Sequence, residues 1–183
     1  MFTAGDAGKL VAMTRLFVAI APPAEIVARL VALPRPPVAG LNWARPEQLV
    51  AKLRPLGHVP TELVAPLVEA LDAGLDGAPA VRCRLGPTTR RPRGNWGVVV
   101  SVAGLDELAT AVFEATEPVV PVTHPQPFEG MLVLARGRTP AELAGDPVNE
   151  AWTAREVRLV ADRSSPRGPR LEPLAGFALR REP

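Results

Sequence analysis

Apolar residues along this chain fall into short runs of two kinds. Runs of strand length, alternating or continuously apolar and bounded by Gly or Pro, occur at 15–20 (RLFVAI), 48–56 (QLVAKLRPL), 80–85 (AVRCRL), 95–102 (NWGVVVSV) and 128–136 (FEGMLVLAR). Between them, apolar residues recur at helical spacing. The stretch 22–33 (PPAEIVARLVAL) reads as a helix with proline in its first turn. The stretch 60–75 reads as an amphipathic helix with Thr61 as its cap and Pro66 as a point of kinking. Residues 105–116 (LDELATAVFEAT) form a third helical pattern, and 140–152 (PAELAGDPVNEAW) predicts a short broken helix. The runs EVRLVADRS and RLEPLAGFALR predict a closing strand pair. Strands interleaved with helices and without a tandem repeat make the class α+β.

Composition agrees with a folded, water-soluble chain. A length of 183 residues can bury a substantial core, and 47% hydrophobic with 22% charged residues is ordinary for a globular protein. The 22 prolines are spread between apolar runs, which places them at turns and element ends. No apolar run reaches the ~18 residues of a membrane span. The run LFVAIAPPA after Arg15 lacks the frame of a signal peptide and is better read as the first strand. Residues 1–12 are expected to form an extension ahead of a single domain at 13–183.

Charge narrows the function classes only a little. The net charge is +2, and the basic residues are arginines except for Lys9 and Lys52. Their one concentration is TTRRPRGNW, with Arg90, Arg91 and Arg93. This permits a weak footprint for phosphate but not the concentrated basic face of a dedicated DNA-binding domain, so DNA-specific recognition is not expected. The single cysteine, Cys83, excludes an internal disulfide and a cysteine-based metal cluster, and points to a reducing, cytoplasmic setting. Within an alternating run it reads as a small packed hydrophobe. No His, Asp and Glu set has ligand spacing, and GLDGAPA lacks the ending of a phosphate loop, so neither metal nor cofactor is expected.

A set of landmarks in order along residues 13–180 carries a resemblance. These are MTRLFVAIAPP, LNWARPEQL, LRPLG, RGNWGVVV, LVLAR and the ending EVRLVADRSSPRGPRLEPLAGFAL. With them the chain resembles the 2H phosphoesterases, specifically the bacterial RNA 2′,3′-cyclic phosphodiesterases, also called 2′-5′ RNA ligases. The resemblance implies a LigT-like fold: two pseudo-symmetric lobes, each an antiparallel sheet with outer helices, facing across a cleft. It also implies metal-independent chemistry by two His-x-Thr motifs. Side chains at i and i+2 of a strand share a face, so each histidine and its threonine enter the cleft together. One histidine takes a proton while the other gives one.

Carried onto this sequence, the first motif falls on Val50 and Lys52 and the second on Met131 and Val133. None of the four is histidine or threonine, so no catalytic residue is assigned. His58 and His124 lie eight residues after Val50 and seven before Met131. That is more than about 20 Å of extended chain, and both are read as loop residues outside the site. In the first motif strand Val50, Lys52 and Arg54 share one face, opposite Leu49, Ala51 and Leu53. The second, MLVLAR, is apolar on both faces and reads as buried on both sides.

Three readings follow. The first is an inactive family member holding a nucleotide, RNA end or other phosphorylated ligand through Lys52, Arg54, Arg136 and the loop of Arg90, Arg91 and Arg93. The second is a scaffold whose apolar cleft of Val50, Met131 and Val133 is filled, packing a protein partner, a second copy or the opposite lobe. The third is an enzyme with relocated chemistry, with Lys52 as its base. The sequence orders them so, which leans against an enzyme.

Overall fold

The runs of strand length assemble into two antiparallel sheets. The structure, a computed structural model, describes residues 11–122 and 124–180. Most of the expected extension, residues 1–10, lies outside the described residues. Val11 and Ala12 lie within them, and the Ala12 carbonyl accepts hydrogen bonds from Thr61.

In chain order the elements are β1 (Met13–Ile20), α1 (Ala24–Val31), β2 (Asn42–Trp43), β3 (Ala51–Pro60), α2 (Val64–Gly74), β4 (Val81–Arg90), β5 (Gly97–Ala103), α3 (Asp106–Thr116), β6 (Met131–Arg136), β7 (Glu150–Ala154), β8 (Glu156–Asp162) and β9 (Leu171–Ala178). The first sheet has the order β3-β1-β8-β9 and the second β2-β6-β5-β4-β7. Each sheet carries one of the two motif strands, β3 or β6, and these approach each other across the cleft. This is the α+β, LigT-like arrangement of two lobes.

Burial explains why β1 is apolar almost throughout. Leu16, Val18 and Ile20 enter the main core, which joins both sheets to Leu67 and Leu71 of α2 and to Leu108 and Val112 of α3. Phe17 and Ala19 point the other way and join Val160, with Val50 and Leu171 against them. A strand with an apolar cluster on each face cannot show clean alternation. Cys83 is fully buried in the main core, and desolvation pushes its thiol up to about 11, away from reactive thiolate.

Several expected elements differ. Only Ala141–Leu143 forms a helical turn in the stretch read as a broken helix. Beyond Gly145 and Pro147 the chain extends, and Trp152 and Ala154 alternate inward as β7 pairs with β4. Thr61 does not cap α2, which begins at Val64; its hydroxyl donates to the Ala12 carbonyl at 2.9 Å. Pro66 lies in the first turn of α2, where a proline's missing N–H is one of the donors that a helix start leaves without a helical partner. β4 runs to Arg90, five residues beyond the strand read at 80–85, so Arg90 lies in the strand and the basic loop begins only at Arg91.

Candidate functional site

The four positions singled out from the sequence, Val50, Lys52, Met131 and Val133, all line one open cleft of about 610 Å³ between the sheets. Strand geometry brings them there. Val50 and Lys52 alternate with buried Leu49, Ala51 and Leu53. Met131 and Val133 alternate with buried Leu132 and Leu134. The expectation that β6 is buried on both faces is therefore corrected: one face is core, and the other is half-exposed cleft wall.

A bulge then changes which face Arg136 uses. In the β5–β6 register Val98 opposes Ala135 while Val99 opposes Val133, leaving Leu134 as the extra residue. Leu134 and Ala135 are both buried, the parity reverses, and Arg136 returns to the cleft side. Gly97 permits this close approach, because a Cβ there would lie 2.3 Å from the Ala135 carbonyl oxygen, and its φ is +148°.

A second bulge works in the opposite sense on β3. Val18 opposes Arg54 and Ala19 opposes Lys52, leaving Leu53 unpaired. Arg54 therefore does not continue the face of Val50 and Lys52 as a free phosphate contact. It borders the cleft, but it is buried, and its guanidinium lies 4.8 Å from the Phe113 ring centroid. Its Nη1 donates to the Thr116 hydroxyl and its Nη2 to the Val120 carbonyl at 2.6 Å. These donors fasten the end of α3. Burial lowers the Arg54 pKa, with Glu117 opposing the shift.

The loop arginines also lie elsewhere. Arg90 pairs with Glu129, and its Nε donates to Ser101 Oγ at 2.9 Å. None of Arg90, Arg91 and Arg93 lines the cleft, whose wall is formed at that point by Glu129. Of the expected ligand contacts, Lys52 and Arg136 are brought together in the cleft, and among the described residues no backbone or carboxylate group takes their donors at bonding distance.

These two cations stand where the cleft meets a smaller cavity of about 350 Å³. Gln48, Val50, Lys52, Val133 and Arg136 line both. The smaller cavity adds Arg15, Asn42, Asp162 and Ser164, so three cationic side chains face a single carboxylate. Arg15 takes up part of that carboxylate, at 3.6 Å. Burial works against Asp162, but hydrogen bonds from the Ser164 hydroxyl and backbone N–H and the charges of Arg15 and Lys52 outweigh it and hold its pKa below the ordinary value. Lys52 Nζ sits 4.3 Å from the Phe17 ring centroid. Desolvation first, then the neighbouring charges of Arg136 and Arg15, lower its pKa, with Asp162 opposing.

The larger cleft is otherwise apolar. Phe113 of α3, Phe128, Met131, Val133 and Val50 are its half-buried walls. Thr110, His124, Gln126 and Glu129 are exposed at its rim. His124 was placed outside the site from its distance along the chain; the segment before β6 folds back and brings it to this rim. His58 is exposed as expected but lies within β3 rather than in a loop, opposite Arg15. Phe113, Arg15 and Asp162 were not legible as site residues, because Phe113 joins the cleft, and Arg15 and Asp162 the adjoining cavity, through pairing or packing between distant elements. Among the described residues no group of three or more His, Cys, Asp or Glu side chains converges as a metal site.

Solved structures share this architecture. LigT of E. coli, in its complex with 3′-AMP, is 27% identical, with 92% of this chain and 99% of that chain covered and a TM-score of 0.79. The TT0787 protein of Thermus thermophilus is 25% identical, with the same coverage of both chains and a TM-score of 0.78. A further structure, of a phosphoesterase, is 25% identical over 92% of this chain with a TM-score of 0.78. No protein-family model matches the sequence, and no curated protein matches it.

Proposed function

We propose that this LigT-like protein, which resembles the 2H phosphoesterases in fold and in its sequence landmarks, binds a phosphorylated ligand in the cleft without performing phosphodiester chemistry. Nucleotides and RNA ends are within the class. The observation that carries the reading is the meeting of Lys52 and Arg136 in an open cleft beside Val50, Met131 and Val133. Ammonium and guanidinium groups supply the donors and charge that a phosphate needs. Valine and methionine have no proton to exchange, so an acid and base at the motif positions are missing. The neighbouring fold supports the ligand class: E. coli LigT forms complexes with 3′-AMP, ATP and NADP+.

An open cleft favours ligand binding over the scaffold reading, which called for a filled one. His124 at the rim is the observation that favours relocated chemistry, with Lys52 as the base. A single assay separates the readings. A short RNA ending in a 2′,3′-cyclic phosphate is titrated by fluorescence anisotropy at low and physiological salt, and the recovered RNA is analysed for ring opening. Saturable binding that survives physiological salt, weakens in Lys52→Ala and leaves the cyclic phosphate intact supports the proposal. Binding lost with salt, as for a generic basic surface, contradicts it. Ring opening abolished by His124→Ala would instead establish relocated catalysis.

A further inference from the structure

We infer that the ligand's organic part is apolar rather than sugar-like, so that the cleft takes a phosphate ester with an aromatic or aliphatic body. The inference rests on the phosphate site proposed at Lys52 and Arg136 and concerns what lies beyond it. Those cations occupy one end of the cleft, where it joins the smaller polar cavity. The cleft as a whole, about 610 Å³, is of the size that holds a small organic molecule.

The walls decide what kind of molecule that is. Val50, Phe113, Phe128, Met131 and Val133 are half-buried and offer no hydrogen bonds. Beyond the cationic end, where Gln48 also stands with its Oε1 accepting from the Arg45 N–H, the polar side chains that could answer sugar hydroxyls are spent, buried or displaced. Arg54 directs its Nη donors to Thr116 and Val120 and keeps its Nε buried, and Glu129 is paired with Arg90. Thr110, His124 and Gln126 stand at the exposed rim. A ribose against these walls gives up water for few partners, and that desolvation is unfavourable. An apolar body loses no hydrogen bonds there and gains from leaving water. Nucleotides then occupy the site as weaker ligands.

Isothermal titration of the full chain with 1-naphthyl phosphate, ribose 5-phosphate and 3′-AMP at one ionic strength tests this. The expected result is 1-naphthyl phosphate binding at least about tenfold tighter than either of the others. Met131→Gln, and the near-isosteric Val133→Thr, should each weaken 1-naphthyl phosphate binding and narrow that preference. Equal or tighter binding of ribose 5-phosphate or 3′-AMP, or a naphthyl preference untouched by both variants, overturns the inference and leaves the phosphate site standing. Failure of all three ligands to bind, or binding indifferent to Lys52→Met, removes the phosphate site itself and the inference with it.

Discussion

Lys52 holds its charge in a place that disfavours charge. Desolvation, Arg136 and Arg15 lower its pKa below the ordinary 10.5, against the pull of Asp162. The free cleft thus favours the neutral amine more than water does, whereas a bound phosphate favours the ammonium. Affinity for phosphate esters should therefore fall as pH rises through a point below 10.5, and Lys52→Met should abolish that limb in titrations across the alkaline range. The same depressed pKa means that the unfolded chain binds more protons between the two values, so the lysine's effect on stability becomes more favourable as pH rises there. Thermal melts should show the wild type gaining on Lys52→Met over that window. Arg54 has a different task. Arg54→Ala removes the donors to Thr116 and Val120 and should destabilise the fold by roughly 1.5–3 kcal/mol, read from urea unfolding. Two basic side chains of similar promise in the sequence thus separate by what surrounds them.

At the level of elements, two bulges decide the composition of the site. The one opposite Val98 and Val99 turns Arg136 into the cleft, and the one at Leu53 ends the shared face of Val50 and Lys52 before Arg54. Gly97→Ala would set a methyl 2.3 Å from the Ala135 carbonyl oxygen at a backbone angle that favours glycine. The substitution should cost about 1–3 kcal/mol. It should also weaken phosphate binding through displacement of Arg136, a loss detectable by titration of the folded variant. Strict alternation predicted the face of Lys52 correctly, because no bulge intervenes between Val50 and Lys52. It misjudged Arg54, because a bulge depends on the partner strand and leaves no local mark in the sequence. It also read β6 as buried on both sides, because Met131 and Val133 are apolar whether they face core or cleft. β7 was missed for a related reason: Glu150–Ala154 is a strand because β4 offers it an edge, while its helix-forming neighbours Ala141–Leu143 complete only one turn.

Across the whole molecule, the order of strands and helices was legible because β1, β3, β5, β6, β8 and β9 each carry a distinct apolar run, and their landmarks resemble one family throughout. The convergence of the cleft was legible only where the motif spacing supplied it, at Val50, Lys52, Met131 and Val133. Phe113 and His124 reach it, and Arg15 and Asp162 reach the adjoining cavity, through contacts that no local pattern encodes. No helix among the described residues is long and apolar enough to cross a membrane. The two lobes instead bound a cleft that is cationic at one end and apolar along its length. On the reading proposed above, such a molecule recognises phosphate without cleaving it, Val50, Lys52, Met131 and Val133 standing at the motif positions.

Recognition and cleavage can be read in one sample by phosphorus NMR of a nucleoside 2′,3′-cyclic phosphate held with the pure protein. The expectation is that the cyclic phosphate resonance shifts or broadens with protein, that Lys52→Ala reverses the change, and that no monoester resonance grows in. A monoester resonance that accumulates with wild-type protein and disappears with His124→Ala would contradict it.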